Sequence, residues 1–184
     1  MGITREPIGY EVRTARVQDI PDLVAMRLKL EAHVQKRNPV SWKMSDKKIA
    51  GMGDFFRRQI EAANAEVFVI QDREPGKIVG MCLGRKLVHD DYIPDASGRI
   101  DDVWIEPEHR RRGLGSRLVA ELIRYFESQG VQALTLDLNQ GNREAEAFWQ
   151  GLGFEPSHVV MNANLDEVRS RLSKGRADKP DAGR

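Results

Sequence analysis

At 184 residues, the chain has the length of one domain and enough mass to bury a sizeable core. Its 40% hydrophobic and 31% charged content fit a soluble globular protein, and a formal net charge of +1 argues against nucleic acid or an anionic membrane as partner. A single cysteine, Cys82, excludes an intrachain disulfide and any CxxC metal site.

Residues 1–9 show no periodicity and are expected to be a flexible lead-in. The start does not resemble a signal peptide and no apolar run has membrane length, which points to the cytoplasm. Tyr10 to Ala15 reads as a first strand. At Asp19-Ile20-Pro21-Asp22 a helix is expected to start, with proline in its first turn and carboxylates at its positive end. Leu23, Met26, Arg27 and Leu30 recur at helical spacing, and the helix should fade before Asn38-Pro39. Ser45 or Asp46 caps a second helix with the apolar stripe Ile49, Met52, Phe55, Phe56 and Ile60. Gly51 and Gly53 weaken it, at about 1 kcal/mol each against alanine.

Glu66 to Gln71 and Ile78 to Lys86 form a hairpin across the Arg73-Glu74-Pro75-Gly76 turn. Cys82, in the apolar pattern of the second strand, is expected to be buried and inert. A long polar connection spans His89 to Gly98, and Ile100 to Ile105 is a further strand. Leu114, Leu118, Leu122 and Phe126, widened by Val119 and Ile123, mark a helix that Gly130 ends. Val131 to Leu138 is a strand, Arg143 to Leu152 a helix stopped by Gly153, and Val159 to Leu165 a late strand. A short helix over Asp166 to Leu172 closes a single domain spanning residues 10–172. Residues 173–184 lack any large apolar side chain and are expected to stay a disordered tail. The order β-α-α-β-β-β-α-β-α-β is mixed α/β.

The most informative stretch is Ile100 to Ser116, IDDVWIEPEHRRRGLGS, where a strand leads through a basic glycine loop into a helix. The first turn of a helix has amide N–H groups without intrahelical partners and carries partial positive charge. Gly113 and Gly115 leave those donors open to a phosphate, while Arg110, Arg111 and Arg112 add positive field.

The run Arg110-Arg111-Arg112-Gly113-Leu114-Gly115 resembles the (Gln/Arg)-x-x-Gly-x-(Gly/Ala) acetyl-CoA motif of the GCN5-related N-acetyltransferase (GNAT) superfamily. Asn142 to Phe154, NREAEAFWQGLGF, is similar to that family's downstream Asn-x-x-Ala element. The resemblance covers roughly residues 10 to 165 and is dense from 100 to 154. It implies the GNAT fold, a mixed central sheet of about six to seven strands flanked by about four helices. It also implies acetyl-CoA as cosubstrate, no metal, and an amine acceptor that is a small molecule, a peptide N-terminus or a protein lysine. Late strands in this family often mediate dimers, which leaves a homodimer open.

By this resemblance, Arg111 to Ser116, with Leu114 among them, hold the pyrophosphate. The backbone of Val103, Trp104 and Ile105 pairs with the pantetheine arm, and a backbone N–H at that strand end polarises the thioester carbonyl. Asn142 contacts the pantetheine, although an asparagine at a helix start also serves as an N-cap. The attacking amine must be neutral, and a free lysine-type amine is mostly protonated at neutral pH. Asp101, Asp102 and Asp137 are the candidate bases; each also reads as a strand-end carboxylate facing water or an arginine. Trp149 stands where many members carry a tyrosine that protonates the departing thiolate. An indole is no practical acid. Trp149 therefore packs beside the thioester or is plain core, since Ala145, Phe148, Trp149 and Leu152 form a helical stripe. His89 and Tyr92 are substitute acids, while His33, His109 and His158 read as surface residues. Trp42 and Met44 are acceptor-pocket candidates or a hydrophobic anchor. A rival reading is a non-catalytic acyl-CoA-binding module with a sensory or scaffolding role. Three arginines on a near-neutral chain fall short of a nucleic-acid face.

Overall fold

The computed structural model describes residues 9–37, 43–139 and 141–177. Its strands are β1 (Tyr10–Thr14), β2 (Ala65–Asp72), β3 (Ile78–Val88), β4 (Ala96–Ile105) and β5 (Ala133–Leu136). Its helices are α1 (Ile20–Arg37), α2 (Asp46–Ala50), α3 (Met52–Glu61), α4 (Leu114–Ser128), α5 (Arg143–Gly151) and α6 (Leu165–Ala177). One sheet runs in the order β1-β2-β3-β4-β5, antiparallel except for the last pair, β4 and β5, which is parallel.

Two apolar layers cover the sheet. In β2, Val67 and Val69 join the layer of Leu23, Met26 and Phe56 from α1 and α3, while Ile70 joins that of Leu118, Leu122 and Phe126 from α4. Fully burying one such side chain is worth about 1.5–3 kcal/mol. Cys82 lies in the α4 layer with its thiol 3.7 Å from the Leu118 carbonyl, and burial pushes the thiol pKa up. It is buried and inert, as expected from the strand pattern.

Several boundaries differ from the sequence expectation. The sheet has five strands among the described residues, not six or seven. Val159 to Leu165 forms no strand: Val159 is 82% exposed, Met161 89%, and α6 begins at Leu165. An apolar run becomes a strand only where another strand offers it hydrogen bonds, and none does so here. α6 contains the short helix expected over Asp166 to Leu172 and continues to Ala177, so residues 173–177, expected in the disordered tail, are helical because the helix propagates past its last large apolar residue; the rest of that tail lies outside the described residues. The second expected helix is split into α2 and α3 at Gly51, whose φ of −85° and ψ of 6° leave the helical region. The Asn38-Pro39 helix stop and Trp42 lie outside the described residues.

The long connection is shorter than expected, because β4 already starts at Ala96 and Gly98 sits inside it. A Cβ at Gly98 would meet Leu134 at 2.8 Å and Phe126 at 2.9 Å, so this glycine lets α4 and β5 close onto the strand. In β4 the register to β3 slips once, since Leu83 faces Asp102 while Gly84 faces Ile100. Asp101 is the extra residue of this bulge. Ile100 and Val103 pack with the α4 layer, whereas Asp101 and Asp102 both turn to arginines elsewhere.

Candidate active site

β5 pairs with β4 only from Ser97 to Ile100. Beyond Ile100 the two strands part, and Asp101 to Ile105 has no strand partner on that side among the described residues. A cleft of about 1280 Å³ opens there. β4, the loop 109–116, Asn142 and Phe148 line one part of it, and α1, α2 and α3 line the other.

At the loop, Gly113 has φ +73°, a left-handed conformation that a side chain resists, and it directly precedes α4. Leu114, Gly115 and Ser116 supply the first-turn amides. Arg111 also has positive φ, 60°. The three arginines point to different partners. Arg110 donates from Nε to the Ile105 carbonyl at 2.9 Å and stacks over Trp104 at 4.6 Å. Arg112 donates from Nη1 to the Tyr10 hydroxyl at 2.8 Å, and that hydroxyl lies 2.9 Å from His109 Nδ1. Arg111 is 85% exposed and reaches only Glu144, at 3.5 Å. Two arginines thus build the loop, and one extends into solvent.

The aspartates separate as clearly. Asp101 is gripped by Arg85 at 2.6 and 2.7 Å and by Arg99 at 3.1 Å. Asp137, expected within a strand, lies just past β5, is 71% exposed and pairs with Arg99. Asp102 is 6% exposed and lies 3.0 Å from Arg27 Nε. Burial pushes its pKa up to about 6; Arg27 and Lys48 oppose the rise, and Asp101 and Glu31 add to it. All three line the cleft.

Asn142 caps α5, its Oδ1 accepting from Ala145 N at 3.4 Å. Trp149, 9% exposed, packs edge-on to Phe148 and Phe154 at 4.9 and 5.2 Å. It is core, with one face on the cleft. His89 donates to or accepts from Ser97 at 2.8 Å and Tyr92 is exposed, and neither lines the cleft. His33 and His109, read as surface residues, both line it. Met44 lines the cleft and packs against the α1–α3 layer. Among the described residues no cluster suited to a metal ion occurs, and no helix is long and apolar enough to cross a membrane.

Arg27, Arg85 and Arg99 were not singled out as site residues by sequence reasoning. Arg27 left one signal: a charged residue inside the apolar stripe of α1, which needs a buried partner.

The site thus lies where a mixed sheet splits beside β4, with a glycine loop and a helix start at the split. The chain belongs to the acetyltransferase (GNAT) family, whose sequence model matches residues 28–154, more than half of its length. It is 25% identical over 118 residues to N-acetyltransferase family 8 member 3 of Mus musculus, a match covering 64% of this chain and 51% of that one. The chain thus spans about half the length of the curated relatives it matches first. Among solved structures, a tetramutant of the BH1408 protein from Bacillus halodurans superimposes with a TM-score of 0.71 at 23% identity, over 84% of this chain and 99% of that one. A predicted acetyltransferase of Clostridium acetobutylicum, solved with acetyl-CoA, does so with a TM-score of 0.69 at 14% identity, over 86% and 97%.

Proposed function

We propose that the protein transfers an acetyl group from acetyl-CoA directly to a primary amine. The observation that carries this reading is the run Asp101 to Ile105, without a described strand partner on its β5 side, leading into a left-handed glycine at the head of α4. Those backbone groups of Val103, Trp104 and Ile105 that face away from β3 suit the amides of a pantetheine arm, with the Ile105 carbonyl already accepting from Arg110, and the amides of Leu114 to Ser116 suit a pyrophosphate. Arg111 supplies the charge-assisted contact, while Arg110 and Arg112 hold the loop in shape. Asn142 fixes the start of α5 beside the arm.

In the reaction the amine nitrogen attacks the thioester carbonyl carbon, the C–S bond breaks, and the thiolate takes a proton from water. The proton of the amine passes to Asp102, directly or through water. A carboxylate raised towards neutrality by burial is a better base than a free one. Asp101 and Asp137 keep Arg85 and Arg99 in place. Trp149 closes the cleft wall. The reading goes with a single domain, a cytoplasmic setting and no nucleic-acid partner.

A non-catalytic acyl-CoA-binding module is the second reading, favoured by the lack of a tyrosine on the described cleft wall. Calorimetric titration with acetyl-CoA and free CoA, then thiol release over an amine panel, separates the two. Micromolar binding with thiol release establishes the enzyme. Binding without turnover on any amine supports the module, and no binding overturns both.

A further inference from the structure

The acceptor half of the cleft carries an excess of cations. Of the five carboxylates that line the whole cleft, Glu144 pairs with Arg111 of the glycine loop, and the other four are Glu31, Asp101, Asp102 and Asp137. Each of these four is already engaged by Arg27, Arg85 or Arg99. Lys47 and Lys48 on α2 and Arg58 on α3 stand on the same wall and form no ion pair with a described residue. Asp46, Asp54 and Glu61, the acidic residues of these two helices, do not line the cleft. The second cavity, about 610 Å³, shares Lys48 and the arginine-paired Glu31 and Asp137 with the cleft and adds Lys43 to its lining.

The arrangement fits a ligand with two poles. One is an amine, whose proton the Asp102 carboxylate can take. The other is a group that satisfies ammonium and guanidinium donors across the cleft, on the side away from the glycine loop. A polycation would meet Lys47, Lys48 and Arg58 as like charges, and in a concave site between protein walls such repulsion is screened less than on open surface. Carboxylate and phosphate share the chemistry these donors recognise.

We infer that the acceptor is a small primary amine carrying an anionic group, carboxylate or phosphate, held by Lys47, Lys48 and Arg58. This rests on the acetyltransferase reading above. It makes specificity a matter of α2 and α3, the helices separated at Gly51.

The test uses the full chain, first confirmed to bind acetyl-CoA by calorimetry. Thiol release is then followed with matched amines: glutamate against glutamine, phosphoethanolamine against ethanolamine, and spermidine as a polycation. The expected result is at least tenfold higher kcat/KM for the anionic member of one pair. The preferred pair tells carboxylate from phosphate. The preference should shrink as salt rises, and the triple variant Lys47→Gln, Lys48→Gln, Arg58→Gln should raise KM for that amine at least tenfold with kcat and acetyl-CoA affinity retained. Equal or higher kcat/KM for the neutral or polycationic amines overturns the inference, as does a triple variant with unchanged KM. So does a failure of every anionic amine either to turn over or to raise the melting temperature of the CoA-loaded protein. Failure to bind acetyl-CoA at the outset instead strikes the reading beneath it.

Discussion

Arg27 of α1 reaches across the cleft floor to Asp102 of β4, Nε to Oδ1 3.0 Å, and also holds Glu31 one turn further along its own helix at 3.1 Å. One guanidinium thus ties the helix to the strand at the residue proposed as base. Attraction to Arg27 does not win: burial outweighs it, and the Asp102 pKa ends at about 6, above its ordinary value.

This has a pH consequence of definite sign. Between about pH 4 and pH 6 the folded chain binds a proton at Asp102 that the unfolded chain has released, so this group's contribution to stability falls as pH rises through that window. The span corresponds to something on the order of 2–3 kcal/mol. Activity moves the other way, because the base must be ionised. Asp102→Asn should flatten both: the difference in melting temperature between wild type and variant should change between pH 4 and 6 and level off above. The acidic limb of kcat/KM near pH 6 should disappear from the variant. A limb of unchanged position in Asp102→Asn would remove Asp102 from the proton path.

Gly113 and Gly115 should separate conformation from access. Gly113→Val forces a β-branched residue to φ +73°, costing roughly 1–2 kcal/mol or more and moving the loop, so acetyl-CoA affinity should fall beyond detection. Gly115→Ala meets only Phe148, at 3.5 Å, an ordinary contact. Its melting temperature should hold within a degree or two while its calorimetric affinity drops about tenfold. Full affinity in both would place the pyrophosphate elsewhere.

Arg111 and Arg112 of the loop should respond differently. Arg111→Ala removes an exposed side chain and should weaken acetyl-CoA binding several-fold, more at low salt, without altering thermal stability. Arg112→Ala cuts the strut to Tyr10 and should lower stability by about 1 kcal/mol. Denaturant melts of both variants, beside calorimetry at two salt concentrations, check the contrast.

Trp149→Tyr trims an aromatic residue packed between Phe148 and Phe154. The expected outcome is a stability loss of about 1–2 kcal/mol and no rise in kcat. A higher kcat would mean that thiolate protonation limits the rate and that this wall is within reach of the sulfur.

The loop and α4 were legible in the sequence because their signals are local. A glycine before a helical stripe, arginines beside it and a strand ahead are all read within a few residues. The fates of the three arginines were not legible, since Arg112 finds its partner at Tyr10, at the other end of the chain. The same distance hid the Asp102 clamp, whose guanidinium comes from α1. Gly98 was read as loop because glycine usually marks one; here Phe126 and Leu134 crowd the strand and require it. Val159 to Met161 shows the converse: apolar content alone does not create a strand.

The single extra residue at Asp101 sets the reading frame of the strand that follows. Upstream, Ile100 is locked to β5 through Leu136; downstream, Trp104 lies under α1 with its ring edge-on to His33. Drawing Asp101 into the ladder with every residue kept would impose strict alternation and turn Trp104 towards α4 and Val103 towards α1, exchanging the two faces of the cleft floor. Sequence variation at 101–102 is therefore tolerable only where the bulge persists. A substitution that keeps the bulge changes one group, whereas loss of the bulge at constant length rewrites what every later position of β4 presents to the bound molecules.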